Sequence, residues 1–360
     1  MHRFAALSKG NRPPLLLAPL ASLGHRGLRE LIEAHGSCDL YFTEMISADA
    51  LLSGSNYESY YLDAGPDPSR VIYQLVGADA TNLERATAAL LDHAARTEAA
   101  SGAPGCAGID LNMGCSAPEM VRQGAGVHWM TQADAARRLV AAIRALVPAD
   151  RSLSAKIRIG EEADFPALVN FCRGLEAEGL DFITFHPRLR KDPWSRPARW
   201  SWFRQLSDEL RLPLVANGDI RESRGLGELH EAWTTHPSGS ETTREWPAGI
   251  MVGRAAVRSP WIFRSLAATL AGQGAGAVES APREIDLLET ARRFHELLEM
   301  WQPQDFWLTR AKRFHAYYGQ NLVYGHRVAA NIQNLRSYDQ ILPLFAAYLE
   351  ENPGERRIRE

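Results

Sequence analysis

Cysteine is scarce in this chain: Cys38, Cys106, Cys115 and Cys172 are the only four in 360 residues, and no two stand in a CxxC spacing. A disulfide framework is excluded, and a reducing compartment is implied. No apolar run approaches the roughly 20 residues needed to cross a bilayer. The opening Met1-His2-Arg3-Phe4-Ala5-Ala6-Leu7 has no signal-peptide core. A cytoplasmic protein without a membrane partner is expected. Neither sign of charge dominates, with 40 Lys and Arg against 43 Asp and Glu and a net charge of -3. Any nucleic acid must therefore be held by a local basic face. No metal is expected. What is present is 360 residues at 45% hydrophobic and 23% charged, enough for one large domain and a smaller one.

Eight short apolar runs recur: Leu15–Ala18, Leu40–Thr43, Val71–Leu75, Ile109–Asn112, Ala155–Ile159, Phe182–His186, Leu214–Asn217 and Ile250–Val252. Most lack alternation, as strands covered on both faces do. Helical spacing lies between them at Asn82–Ala95, Ala133–Leu146, Phe165–Ala177 and Trp202–Leu210. Eight strand–helix units predict a (β/α)8 TIM barrel. A doubly wound sheet usually opens on a glycine-rich turn. Here the first strand runs into Pro19-Leu20-Ala21-Ser22-Leu23-Gly24, with no GxGxxG.

The composition divides the chain into a barrel over 1–270, a Gly/Ala/Ser-rich linker over 271–284, a small helical bundle over 285–350 and a polar tail over 351–360. Within the bundle, helical patterns cover Ile285–Trp301, Phe306–Tyr318 and His326–Ser337. The aperiodic stretch 233–247 reads as an exposed insertion before the eighth strand.

Polar residues gather at one end of the strands. They are Gln74, Asn112 with Cys115, Lys156 with Arg158, His186-Pro187-Arg188, Asn217-Gly218-Asp219 and Gly253-Arg254. Singly, each has an ordinary explanation as a turn former, a small hydrophobe or a satisfied histidine. Jointly they do not, because unpaired buried polar groups cost about 1–3 kcal/mol each. The C-terminal ends of barrel strands carry chemistry, and phosphate often sits after the seventh and eighth. Flavin mononucleotide fits, with its phosphate by Asn217, Asp219, Gly253 and Arg254. Gln74, Asn112 and Lys156 then meet the polar edge of its ring, where a cation favours the reduced flavin. A thiol at Cys115 is mostly protonated at neutral pH and can give a proton.

With these residues in place, the sequence resembles the tRNA-dihydrouridine synthases. The matching pieces are Ala18-Pro19-Leu20, Thr43-Glu44-Met45, Gln74-Leu75-Val76-Gly77, Asp110-Leu111-Asn112-Met113-Gly114-Cys115, Lys156-Ile157-Arg158-Ile159-Gly160, His186-Pro187-Arg188, Asn217-Gly218-Asp219-Ile220 and Met251-Val252-Gly253-Arg254. They occur in the family's order over about residues 15–265.

The resemblance implies FMN-dependent reduction of uracil in tRNA, with NADPH reducing the flavin. It makes Cys115 the proton donor. It assigns Pro19, Leu20, Gln74, Lys156, His186, Asn217, Asp219, Gly253 and Arg254 to the cofactor, and Asn112, Arg158 and Arg188 to the substrate. The helical tail corresponds to the family's RNA-binding domain. There Arg310, Lys312 and Arg313, interleaved with aromatics, are the expected RNA contacts, and the chain is expected to act as a monomer.

Departures from the family pattern are Ser116 where a proline is usual, with the proline at Pro118; Pro187 in place of a glycine; Leu20 for a methionine; and the bulky Val127-His128-Trp129-Met130. Two alternatives carry their own tests. A flavoprotein acting on a small pyrimidine or enone would turn over free uridine, and an RNA-binding protein without catalysis would hold no flavin. Dihydrouridine synthesis in another RNA also stays open.

Overall fold

The computed structural model describes residues 12–193, 195–235, 245–272 and 283–360. Eight parallel strands close in sequence order: β1 Leu15–Leu17, β2 Leu40–Ser47, β3 Val71–Val76, β4 Gly108–Met113, β5 Ser152–Ile157, β6 Phe182–Phe185, β7 Leu214–Asn217 and β8 Gly249–Val252, which pairs back on β1. After β1 comes α1 Arg26–Ala34, and after β2 come α2 Ala48–Ser53 and α3 Glu58–Leu62. The helix α4 Ala80–Ser101 follows β3, and α5 Pro118–Arg122 and α6 Ala133–Leu146 follow β4. The ring continues with α7 Phe165–Ala177, α8 Trp200–Glu209 and α9 Ser223–Thr234, then α10 Ala255–Arg258 and α11 Ile262–Gly272 after β8.

Local chemistry sets the ends of these helices. Side chains of Ser47, Asp79 and Asp164 accept backbone N–H groups at the starts of α2, α4 and α7. Gly102, at φ 71°, ends α4 in the left-handed region.

Strand alternation sorts side chains into two cores. Leu15, Leu17, Tyr41, Tyr73, Leu75, Ile109, Leu111, Leu153 and Ala155 face the helices. A separate inner cluster holds Leu16, Ala18, Leu40, Phe42, Ile72, Phe182, Val215 and Met251. Its members come from six strands. Strands β4 and β5 instead turn Asp110, Asn112, Ser154 and Lys156 inward, in register with one another and with Gln74 of β3. The barrel is thus plugged with hydrocarbon on one side and with polar groups on the other.

Beyond the barrel, β9 Glu284–Asp286 leads into α12 Leu287–Trp301, α13 Gln304–Tyr318, α14 Gly325–Asn334 and α15 Ile341–Glu351. A last strand, β10 Arg357–Arg359, pairs antiparallel with β9. These helices share the barrel's outer core. Helix α12 lies on α1 so closely that a Cβ at Gly27 would sit 3.0 Å from the carbonyl oxygen of Leu297. The Arg26 guanidinium stacks over Trp301 at 3.3 Å. Phe294 and Phe314 stack at 3.7 Å, and Phe314 continues onto Tyr318 at 4.8 Å. Burying each such ring is worth about 1.5–3 kcal/mol.

Several expectations shift. The fifth strand stops at Ile157, so Arg158 and Ile159 lie just past it, and His186 lies just past β6. Helix α14 ends at Asn334, ahead of the expected Ser337. Residues 351–360 contain a strand as well as polar chain. Most of the expected linker (273–282) and of the expected insertion (236–244) lies outside the described residues.

Candidate active site

At the C-terminal end of β4 a chain of hydrogen bonds reaches the cysteine from inside the barrel. Ser154 Oγ donates to Asp110 Oδ1 at 2.5 Å, and Gln74 Nε2 donates to Asp110 Oδ2 at 2.6 Å. Asn112 Nδ2 donates to Gln74 Oε1 at 2.9 Å. Asn112 Oδ1 then accepts the backbone N–H of Cys115 at 2.9 Å and of Gly114 at 3.3 Å. Gln74, Asp110 and Ser154 are fully buried, and Asn112 nearly so. Burial pushes the Asp110 carboxyl up to about 6, against the pull of its two donors.

The loop after β4 is closed from its far side. Val127 N donates to the Cys115 carbonyl at 3.0 Å. Gly126 has φ 65°, and a Cβ there would lie 2.5 Å from that carbonyl oxygen. Trp129 Nε1 donates to Gly77 O at 2.8 Å, tying this loop to the one after β3. The bulky Val127 and Trp129 are buried, so their size fills the loop's underside. Pro118 opens the short α5, a position that needs no N–H. Cys115 is half-buried, whereas Cys38, Cys106 and Cys172 are buried.

Cations crowd the opposite side. Burial and the neighbouring Arg158 lower Lys156 to about 8, while Asp110 and Cys115 pull it upward. Burial and Arg188 lower Arg158 to about 10. His186 is held well below its ordinary value by burial and then by Lys156, Arg158, Arg188 and Arg254. It is therefore neutral near pH 7. Arg188 Nη1 lies 2.8 Å from His186 Nε2. A guanidinium only donates, so Nε2 accepts and the imidazole proton sits on Nδ1. The Thr184 hydroxyl, in register with Lys156, is buried without a hydrogen-bond partner.

Other assigned residues serve the frame. Arg188 is 1% exposed and forks onto Asp219 with two contacts of 2.7 Å, while its Nε donates to Arg196 O. Asp219, at φ 51°, also accepts Ala198 N at 2.7 Å. Asn217 Nδ2 donates to Met251 O at 2.9 Å, bracing β7 on β8. Arg254 stands at the start of α10, where Tyr317, Arg221, Arg188 and Asp219 act on its charge. Around Gly253 a Cβ would meet only Ala18 and Leu20, at 3.7 and 3.8 Å.

In the helical extension, Arg310 needs correction as an RNA contact. It is 2% exposed, and its guanidinium pairs with Glu44 of β2. Lys312 donates to Gln333 O at 2.8 Å, joining α13 to α14. Of the three, Arg313 is the exposed one. Sequence reasoning gave no role to Asp110, Ser154 or Glu44. Asp110 and Ser154 sit two residues before Asn112 and Lys156, and that alternation was the available signal.

The family model described as dihydrouridine synthase (Dus) matches residues 16–337. The tRNA-dihydrouridine(16) synthase of Ralstonia nicotianae is 28% identical over 273 residues, covering 73% of this chain and 75% of its own. A probable tRNA-dihydrouridine synthase of Rhodobacter capsulatus is 26% identical over 312 residues, 86% of each chain. Among solved structures, an old yellow enzyme homologue from Zymomonas mobilis aligns with a TM-score of 0.47 at 12% identity, covering 82% of this chain and 94% of that one.

Proposed function

We propose a reaction and a set of roles from one premise: this chain belongs to the dihydrouridine synthase family. It reduces uridine in tRNA to 5,6-dihydrouridine. The mouth suits a phosphorylated flavin. Lys156, Arg158, Arg188 and Arg254 surround a neutral His186, and the unpartnered Thr184 hydroxyl adds a polar group at the depth of Lys156. Arg188 is spent on Asp219, and the positive field of this side of the mouth favours an anionic ligand. When bound, FMN reduced by NADPH supplies the hydride that adds to C6 of the uracil.

The chain's own residues do the rest. The Cys115 thiol protonates C5, and Asn112 fixes the backbone that carries it. Lys156, lowered to about 8, is still mostly charged at pH 7 and faces the ring's polar edge with Gln74. Arg254, beside Gly253, takes the phosphate. Arg158, past the end of β5, faces the base. Arg188 and Asp219 hold the loops after β6 and β7 in place. Pro19 and Leu20 close the mouth from β1. A uracil stacked in RNA has to be flipped out to reach this depth. Arg313, with Arg327 on α14, offers charge to the phosphates. The protein works as a monomer in the cytoplasm, where tRNA and NADPH are found.

The observation that carries this reading is Cys115 itself, half-buried at the end of β4 with its N–H held by Asn112. Cys115→Ala tests it. The variant should bind flavin and oxidise NADPH normally, while dihydrouridine formation on unmodified tRNA falls by about 10²–10⁴-fold, the usual worth of a positioned proton donor. Undiminished product would remove the role. Activity on free uridine equal to that on tRNA would favour a small-molecule enzyme.

A further inference from the structure

We propose that Asp110 is a positioning residue that anchors the interior end of the hydrogen-bond relay reaching Cys115. The chain of groups runs Asp110, Gln74, Asn112, Cys115. Its two ends have no freedom. A backbone N–H can only donate, so the atom of Asn112 that meets Cys115 must be oxygen. A carboxylate can only accept, so the atom of Gln74 that meets Asp110 must be nitrogen. Between these ends, Asn112 has to give its N–H to the Gln74 oxygen, and the structure has that arrangement at 2.9 Å.

Remove the acceptor at the base and only the single N–H from Asn112 is left to hold Gln74 this way round. A reversed Gln74 would turn Asn112, and an Asn112 NH2 against the Cys115 N–H would be two donors face to face. The same polarity has a second effect. Each amide nitrogen keeps a second N–H beyond the one spent in the chain, and we assign both to the mouth. The mouth then offers donors from Gln74, Asn112 and Lys156 on adjacent strands, a set complementary to carbonyl oxygens rather than to N–H groups. Only this second effect rests on the flavin and uracil reading above.

Ser154 completes the base by donating to the other oxygen of Asp110. The charge of Asp110 is not what the relay needs. With an asparagine, one oxygen still accepts from Gln74, and the amide nitrogen donates to Ser154, whose hydroxyl can accept.

The test compares Asp110→Leu, which keeps the bulk and loses the acceptor, with Asp110→Asn, which keeps an acceptor and loses the charge. The first readout is the rate at which iodoacetamide alkylates the full-length protein. Cys115 dominates it because the other cysteines are buried. Asp110→Leu should free the loop and raise the rate about fivefold, the factor for one lost hydrogen bond, and Asp110→Asn should react like the parent. The second readout is FMN affinity by fluorescence quenching, expected to weaken at least about fivefold in Asp110→Leu and to hold in Asp110→Asn.

A parental alkylation rate in Asp110→Leu overturns the proposal. So does an Asp110→Asn that behaves like the leucine variant, which would make charge the operative property. If Asp110→Leu does not fold, Gln74→Met breaks the relay one link closer to the thiol. It must show the same faster alkylation, and an unchanged rate there overturns the proposal. Should the parent itself take no flavin, the functional reading fails while the alkylation comparison still decides the relay.

Discussion

Arg310 of α13 and Glu44 of β2 form an ion pair closed off from solvent, with side chains 3% and 4% exposed. The guanidinium also lies 4.7 Å from the centre of the Phe306 ring. The other oxygen of Glu44 accepts the backbone N–H of Ser22 at 2.6 Å. Three parts of the molecule, the loop after β1, the strand β2 and the helical extension, therefore meet on one carboxylate.

Breaking one side of a buried pair strands the other charge, which typically costs about 3–5 kcal/mol. Arg310→Met should lower the stability of the whole chain by that order. The double variant Arg310→Met with Glu44→Leu should recover much of the loss, because neither charge is then orphaned. Urea unfolding of the parent, the single and the double variants measures both effects. A single variant as stable as the parent would show that the pair contributes nothing.

Gly126 approaches the cysteine loop more closely than any side chain allows. An alanine Cβ would lie 2.5 Å from the Cys115 oxygen and 3.1 Å from its Cβ, in a left-handed backbone. Gly126→Ala should cost about 1–2 kcal/mol in folding. Its effect on dihydrouridine formation should be larger, on the order of 10²-fold, because the thiol is displaced by about 1 Å. Thermal unfolding together with a tRNA assay would separate the two losses.

Acid should destabilise this protein early. His25, His186 and His315 are held well below 6.5, and His295 is lowered to about 4, in each case mainly by burial. The unfolded chain binds a proton at each of them near 6.5, and the folded chain does not. Their contribution is complete above that pH and is lost as pH falls below it. His35 and His93 are lowered too, mainly by burial, whereas Asp110, raised to about 6 from 3.8, and Glu58, also raised by burial, act oppositely. Each histidine can shift stability by at most about 1.4 kcal/mol per pH unit. The urea midpoint should therefore fall clearly from pH 7 to pH 5, and His295→Phe should flatten the slope.

The barrel was legible because most of its strands are largely apolar runs ending in polar residues, and a run such as Leu214–Asn217 has few other uses. The residues of the mouth were legible for the same reason. What stayed hidden is which polar group spends itself on which. Arg188 and Asp219 are 31 positions apart, and nothing local says that they clasp each other. Arg310 sits among aromatics and basic residues, a pattern that reads as a solvated surface until a carboxylate 266 positions away is brought against it. Helix α15 carries an apolar stretch, Ile341-Leu342-Pro343-Leu344-Phe345, that lacks helical spacing at its start. The strands β9 and β10 are three residues each, too short to leave a pattern.

The shared carboxylate of Glu44 has one more consequence. A hinge at that joint would let the helical extension swing relative to the mouth. A locked joint works as a ruler. The helical extension and Cys115 are thereby kept at one fixed offset from each other.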